Sequence, residues 1–236
     1  MRAPELSARL QAVASLVRAG SRAADIGCDH GQLAAALVLS GRCPFVVAAD
    51  LRPDPLAQAR QLTRRLGLEG QIDCRLGDGL GVLRPGEVQD IILAGMGGET
   101  IADALAAAPW ICSDAVSLVL QPVTSAAELR RFLAESGFAL REELPVIDGR
   151  YCYTVLRAVW TGEKVSPGPL FCELGLLRGQ RSPAAAACMA RSLRRLSAEL
   201  RGRRAAGQDD RPDALPLAAL EQVCTALREE LSQCQR

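Results

Sequence analysis

The sequence predicts an α/β fold: a doubly wound, mostly parallel seven-stranded sheet ending in an antiparallel hairpin, followed by a C-terminal α-helical hairpin. Three observations predict it. Up to Gly137, short apolar runs alternate with helical stretches, the pattern of a sheet wound with helices on both faces. Those runs are nearly continuous rather than alternating, as in strands buried on both sides of a parallel sheet. After Gly137 two strand-like runs are separated by Asp148-Gly149-Arg150, and Asp-Gly is a strong hairpin signal.

Taken in order, residues 5–18 read as an amphipathic helix, with Leu6, Leu10, Val13 and Leu16 or Val17 near helical spacing. Residues 23–26 form a short strand and 31–40 a helix. A second strand, 45–50, leads to a helix over 54–66 that stops at Gly67. The third strand is 71–76. The fourth, 90–95, is bounded by the glycines of Gly95-Met96-Gly97-Gly98, and a helix follows to about 107. The fifth strand, 115–122, is stopped by Pro122, and a helix over 125–136 ends at Gly137. The hairpin strands are 138–147 and 150–160.

Ser166-Pro167-Gly168-Pro169 marks a boundary. It divides the chain into residues 1–165 and a helical segment, 166–236. Ser182 reads as an N-cap with Pro183 at the first helical position. A long helix then spans 183–205, residues 207–213 make a loop, and a second helix spans 214–234. Leu193, Leu196 and Leu200 form one apolar stripe; Leu217, Leu220, Val223, Leu227 and Leu231 form another. Two such helices with a short connection pair as an antiparallel hairpin.

Composition sets the limits. Hydrophobic residues are 49% of 236 and aromatics only 3%, so aliphatic side chains must fill the core. No apolar run approaches the roughly 20 residues of a membrane span, and the N-terminus shows no signal-peptide pattern; the expectation is a cytoplasmic protein that uses no membrane. The nine cysteines contain no C-x-x-C pair, which argues against structural zinc and predicts no metal. A net charge of +1 gives no global field toward nucleic acid. Lys164 is the only lysine among 28 basic residues. Arginine favours bidentate phosphate contacts, although GC-rich codon usage gives the same bias.

The chemistry concentrates at the strand-to-helix turns. Gly27 and Gly31 let backbone approach a ligand closely. Between them sit Asp29 and His30, the only histidine in the chain. A carboxylate at a helix N-terminus is badly placed beside a pyrophosphate and well placed beside an ammonium. That favours S-adenosylmethionine over a dinucleotide; helix capping by Asp29 is the plain alternative. Asp50 closes the second strand, where an acid commonly binds ribose hydroxyls. Asp78 follows the third strand and can accept from an adenine amino group, or can make a simple Asp-Gly turn with Gly79. Asp25, Asp50 and Asp78 thus occupy equivalent strand ends. Gly95, Gly97 and Gly98 leave bare backbone around Met96, to lie against the methionine end of the cofactor or the target base.

The segments DIGCDHGQL, VAADLRPDPLAQAR, RLGDGL, AGMGG and LVLQP, in this order, resemble the bacterial tRNA (adenine-22-N1)-methyltransferase family of class I, Rossmann-like enzymes. LSARL near the start and GRYCYTVL near the end of the sheet fit as well, so the likeness runs from about residue 5 to 160. The resemblance implies methyl transfer from S-adenosylmethionine to N1 of an adenine in tRNA. It puts Asp25, Gly27, Asp50, Asp78 and Gly95 around the cofactor, with Leu51 and Gly79 beside them as further candidates, and His30 and Met96 nearer the reacting atoms; the cationic product makes Asp29 the third catalytic candidate. The family more often has Tyr where this chain has Gln32, and Asn where it has Val123. For RNA contact the candidates are Arg9 on the first helix and Arg191, Arg194, Arg195 and Arg201 on the long C-terminal helix. Three rival readings stand beside this one: the same fold acting on another RNA, a protein or a small molecule; a non-catalytic RNA-binding protein; and a nicotinamide oxidoreductase, disfavoured by Asp29 and the hairpin.

Overall fold

The computed structural model describes residues 4–207 and 215–234. Its seven strands are β1 (Ala23–Ile26), β2 (Val46–Asp50), β3 (Ile72–Leu76), β4 (Asp90–Gly97), β5 (Ser117–Thr124), β6 (Phe138–Asp148) and β7 (Tyr151–Trp160). They form one sheet in the order β3-β2-β1-β4-β5-β7-β6. The first five are parallel, and β7 runs antiparallel between β5 and β6. Strand order reverses beside β1, which lies between β2 and β4; in open α/β sheets the ligand crevice opens at such a switch point.

Successive residues of the buried strands feed opposite layers. Ala23, Val46 and Ile92 enter one apolar layer beneath α1 (Ala8–Leu16), α2 (Gln32–Leu39) and α3 (Pro53–Arg65). Ala24, Val47, Ile91 and Leu93 enter the other, beneath α4 (Gly98–Ala106) and α5 (Ala126–Glu135). Burial on both faces is what removes the alternation from these strands in the sequence.

Two strand ends differ from the expectation. β4 does not stop at Gly95, and β5 does not stop at Pro122: both continue, paired, to Gly97 and Thr124. The register shifts on either side of Met96, whose partner is Pro122. The proline therefore falls where the ladder is already irregular, and its missing N–H costs little there. The glycines after β4 are thus the bulged tip of a strand rather than a free loop.

The C-terminal segment contains a short helix that periodicity did not announce, α6 (Pro169–Leu174), before α7 (Pro183–Ala205) and α8 (Leu217–Cys234). Ser182 caps α7 by accepting from the Ala185 amide at 3.1 Å. The predicted stripes meet: Leu196, Leu200, Leu220, Val223 and Leu227 share one buried cluster. The connecting residues 208–213 and the expected helix start at 214 lie outside the described residues.

This segment is fastened to the sheet by a buried polar network. Arg130 of α5 and Glu143 of β6 form an ion pair with side chains 3% and 0% exposed. Arg130 also donates to the carbonyls of Cys172 (2.7 Å) and Glu173 (3.1 Å). Glu143 accepts from Thr154 Oγ1 at 2.6 Å and from the Leu176 amide at 2.8 Å. Nearly every polar atom of the pair is thereby matched, the condition under which a buried ion pair is tolerable.

Candidate cofactor and substrate site

A cavity of about 680 Å³ opens at the carboxyl ends of the strands beside the switch point. Asp25, Asp50 and Asp78 all line it, together with Gly27, Asp29, His30, Leu51, Gly79, Gly95 and Met96. The sequence-predicted cofactor and catalytic positions therefore converge on one hollow.

The first turn is built around backbone. Gly27 has φ +75°, and its amide and that of Cys28 both donate to the Ala49 carbonyl, at 2.8 and 2.9 Å. A Cβ at Gly27 would stand 2.2 Å from Met96 Cε. The bare glycine thus lets the β4 methionine fold over the β1 turn. Asp29 follows at φ +49° and makes no capping bond to α2, whose N-cap is Gly31. That removes the capping explanation and leaves the carboxylate 58% exposed in the cavity wall. Arg52 Nη2 and His30 Nε2 each lie 3.5 Å from one of its oxygens.

Asp50 is the brace of the site. One of its oxygens accepts from the Asp29 amide at 3.0 Å and the other from the Arg52 amide at 2.9 Å. These bonds tie the β1 and β2 turns together. A carboxylate has about four acceptor directions, so ribose hydroxyls can still be received there.

Asp25 is the least satisfied group. It is 3% exposed, and its Oδ2 has no hydrogen-bond partner. Burial, then the neighbouring Asp50 charge, push its carboxyl up to about 7, only partly offset by the Ala34 amide, with Asp29 adding further repulsion. A buried acceptor lacking a partner among protein groups needs one from elsewhere, and a cation would suit it best. The same burial raises the Cys28 thiol, so it is protonated and a poor nucleophile. All nine cysteines are free, and among the described residues no group of three or more His, Cys, Asp or Glu could hold a metal ion.

The cavity lining also holds a cation. Arg9 of α1 does not lie on an open helix face. It is half-buried in the cavity lining and donates through Nη1 to Gln121 Oε1, 112 residues away. The fully buried Gln121 also accepts from the Gly95 amide at 3.1 Å, while its Nε2 donates to the Pro122 carbonyl at 2.9 Å. One amide thus fixes the tip of β4, the end of β5 and the Arg9 guanidinium. Gln121 falls within LVLQP and Arg52 within VAADLRPDPLAQAR, but neither has a role legible in the sequence alone. The only sequence signals for Arg9 and Gln121 were the motifs that contain them.

The other RNA candidates divide. Arg191 is held by the carbonyls of Cys152 (2.8 Å) and Val123 (3.3 Å). Arg195 is paired with both oxygens of the buried Glu173, at 2.6 and 2.7 Å. Arg194 and Arg201 are exposed and have no ion-pair partner among the described residues. Of the two departures from the family pattern, Gln32 lines the cavity, and Val123 lines a second cavity of about 340 Å³ between α5, β7 and α7. Among the described residues no helix is long and apolar enough to cross a membrane.

The tRNA (adenine(22)-N(1))-methyltransferase of Bacillus subtilis (strain 168) is 36% identical over 154 residues, 65% of this chain and 65% of that protein. The match thus spans slightly less than two thirds of that relative's length. The solved structure of Streptococcus pneumoniae Sp1610 in complex with S-adenosyl-L-methionine is 26% identical, covering 96% of this chain and 100% of that one at a TM-score of 0.81. That of the Bacillus subtilis m1A22 tRNA methyltransferase is also 26% identical, covering 98% and 97% at 0.77. The fold similarity therefore extends through the C-terminal helices. The profile of the family described as "Methyltransferase domain" matches residues 6–156, most of the chain; with the switch-point cavity and the terminal hairpin, it establishes that this chain belongs to the methyltransferase-domain family.

Proposed function

We propose that the chain transfers a methyl group from S-adenosyl-L-methionine to N1 of adenine 22 in tRNA. The observation that carries this reading is the convergence of Asp25, Asp50 and Asp78 on one cavity, in a chain 36% identical to a curated enzyme named for that reaction. The residues present fit the cofactor. Asp25 offers a buried, unpartnered acceptor for its ammonium group, and Arg9 a cation for its carboxylate. Asp50 and Asp78 offer acceptors for ribose and adenine, and Leu51 an apolar surface 62% exposed. When bound, the cofactor supplies an electrophilic methyl group on a sulfonium.

The protein's own task is alignment. Adenine N1 carries an in-plane lone pair and needs no prior deprotonation, so the side chains have to hold it in line with the methyl and exclude water. Because N1 normally faces a base-pairing partner, the adenine must be unpaired or flipped to enter. Methylated adenine is cationic, and Asp29 is the carboxylate positioned to stabilise that charge as it forms. His30, beside Asp29 in the same wall, hydrogen-bonds the base or takes a proton from the product. Met96 packs over Gly27 and shapes the wall against which the reacting atoms lie. The cytoplasm is where such a substrate is met.

The test is incubation of an unmodified tRNA transcript with labelled S-adenosyl-L-methionine, digestion to nucleosides and mass spectrometry. The reading expects 1-methyladenosine, lost when adenine 22 is replaced by guanine. Methyl groups on another nucleotide, or none, contradict it. In the same assay His30→Ala should slow turnover while retaining cofactor binding; unchanged turnover removes His30 from the chemistry.

A further inference from the structure

The chain has only two tyrosines. Both stand on β7, two residues apart and therefore on one face of the sheet. Their rings lie 6.2 Å apart at 45°. The Arg9 guanidinium sits 5.9 Å from the centre of the Tyr153 ring, and that of Arg150 sits 5.0 Å from the Tyr151 ring. The result is a continuous row, Arg9–Tyr153–Tyr151–Arg150, running from the cavity wall to the tip of the β6–β7 hairpin. Tyr151 is 51% exposed, and Ile147 on the adjoining strand is 45% exposed. In a chain so poor in aromatics, placing both tyrosines near a hairpin tip, Tyr151 half in water and Tyr153 only partly covered, contributes little to the core.

We infer that this row is the platform on which unpaired tRNA bases flanking the target adenine stack as that adenine enters the cavity. The inference rests on the tRNA reading above. Alternating guanidinium and aromatic groups are what single-stranded RNA requires: ring faces for the bases and cations for the backbone. Position agrees with chemistry. At its inner end the row joins the cavity through Arg9, which is bonded to Gln121 and through it to the β4 tip. The row thus begins at the cavity lining, where the neighbours of a base held inside can reach it.

The experiment measures initial rates with an unmodified tRNA transcript for Tyr151→Ala, Tyr153→Ala and the corresponding Phe variants, alongside calorimetric titration of S-adenosylhomocysteine. Each alanine variant should raise KM for tRNA by about five- to a hundredfold, the range alanine replacement of a stacking aromatic produces. The Phe variants, which keep the ring, should stay within about twofold of the unaltered protein, and affinity for S-adenosylhomocysteine should hold in both Tyr151 variants, whose ring stacks on Arg150 and not on the cavity's Arg9. Alanine variants with unchanged KM overturn the proposal. So does a parallel loss of S-adenosylhomocysteine affinity in Tyr151→Ala, which assigns that ring to structure instead. If the unaltered protein methylates no tRNA, the functional reading fails and takes this proposal with it, an outcome distinct from normal methylation by the alanine variants.

Discussion

At the scale of single residues, Asp25 is the acid whose environment is most altered by the fold. Its carboxyl titrates near 7 in the folded chain against about 3.9 for a free aspartate. The folded state therefore binds this proton more tightly than the unfolded one. The stability linked to the neutral carboxyl is complete below about pH 4 and is lost as pH rises through about 7. Asp25→Asn should melt at a higher temperature than the unaltered protein at pH 8, by about 2–4 kcal/mol in stability, with the gap closing toward pH 4. Thermal melts across that range check it; a gap independent of pH would contradict the assignment. The same substitution should weaken S-adenosylhomocysteine binding, because an amide cannot neutralise an ammonium. Gln121 gives the complementary case. Gln121→Leu leaves the Gly95 amide and Arg9 without their acceptor and should cost about 1–3 kcal/mol in stability, read by denaturant unfolding, together with turnover.

At the scale of elements, close approach matters more than propensity. A Cβ at Gly98 would lie 2.2 Å from the Ser125 carbonyl oxygen, so the first turn of α4 meets the residue that enters α5 with no room for a side chain. Gly98→Ala should separate these helix starts and lower the melting temperature, whereas Gly81→Ala, with open space around it, should change little. The α7 surface makes an electrostatic prediction. Arg194→Ala and Arg201→Ala should each reduce the slope of log affinity for tRNA against log salt by somewhat under one, as expected for one lost phosphate contact. An unchanged slope removes that residue from the RNA surface.

This scale also shows what could be read beforehand. The five parallel strands, the hairpin and both long helices were legible because their burial pattern is written locally in the order of apolar residues. The extents of β4 and β5 were not. A proline and three glycines read as stop signals, yet the bulge that accommodates them is a property of the pair. The acids of the site were legible for the same local reason: each lies in or just past the last residues of its own strand. Arg9 and Gln121 meet across 112 residues, and no local pattern encodes that encounter. α6 is six residues long, too short to show helical periodicity.

At the scale of the whole molecule, the question is how the C-terminal helices act on the site. Arg130, Glu143 and Thr154 anchor the start of this segment to the sheet. We propose residues 166–236 as an RNA-facing appendage held at a fixed angle by that anchor. Glu143→Gln leaves Arg130 buried without its counter-charge and should destabilise the protein by about 3–5 kcal/mol, with loss of tRNA affinity exceeding loss of cofactor affinity. Equal losses would mean that the network serves the core alone. What the whole fold builds is nonetheless the cavity, with strand-end carboxylates that suit a sulfonium nucleoside. Calorimetric titration of the unaltered protein and Asp50→Ala with S-adenosylhomocysteine, and of the unaltered protein with NAD, tests it most directly. One site for S-adenosylhomocysteine is expected, weakened at least about tenfold by Asp50→Ala as two charge-assisted hydrogen bonds are lost, and no heat with NAD. Binding of NAD, or S-adenosylhomocysteine affinity indifferent to Asp50, would contradict it.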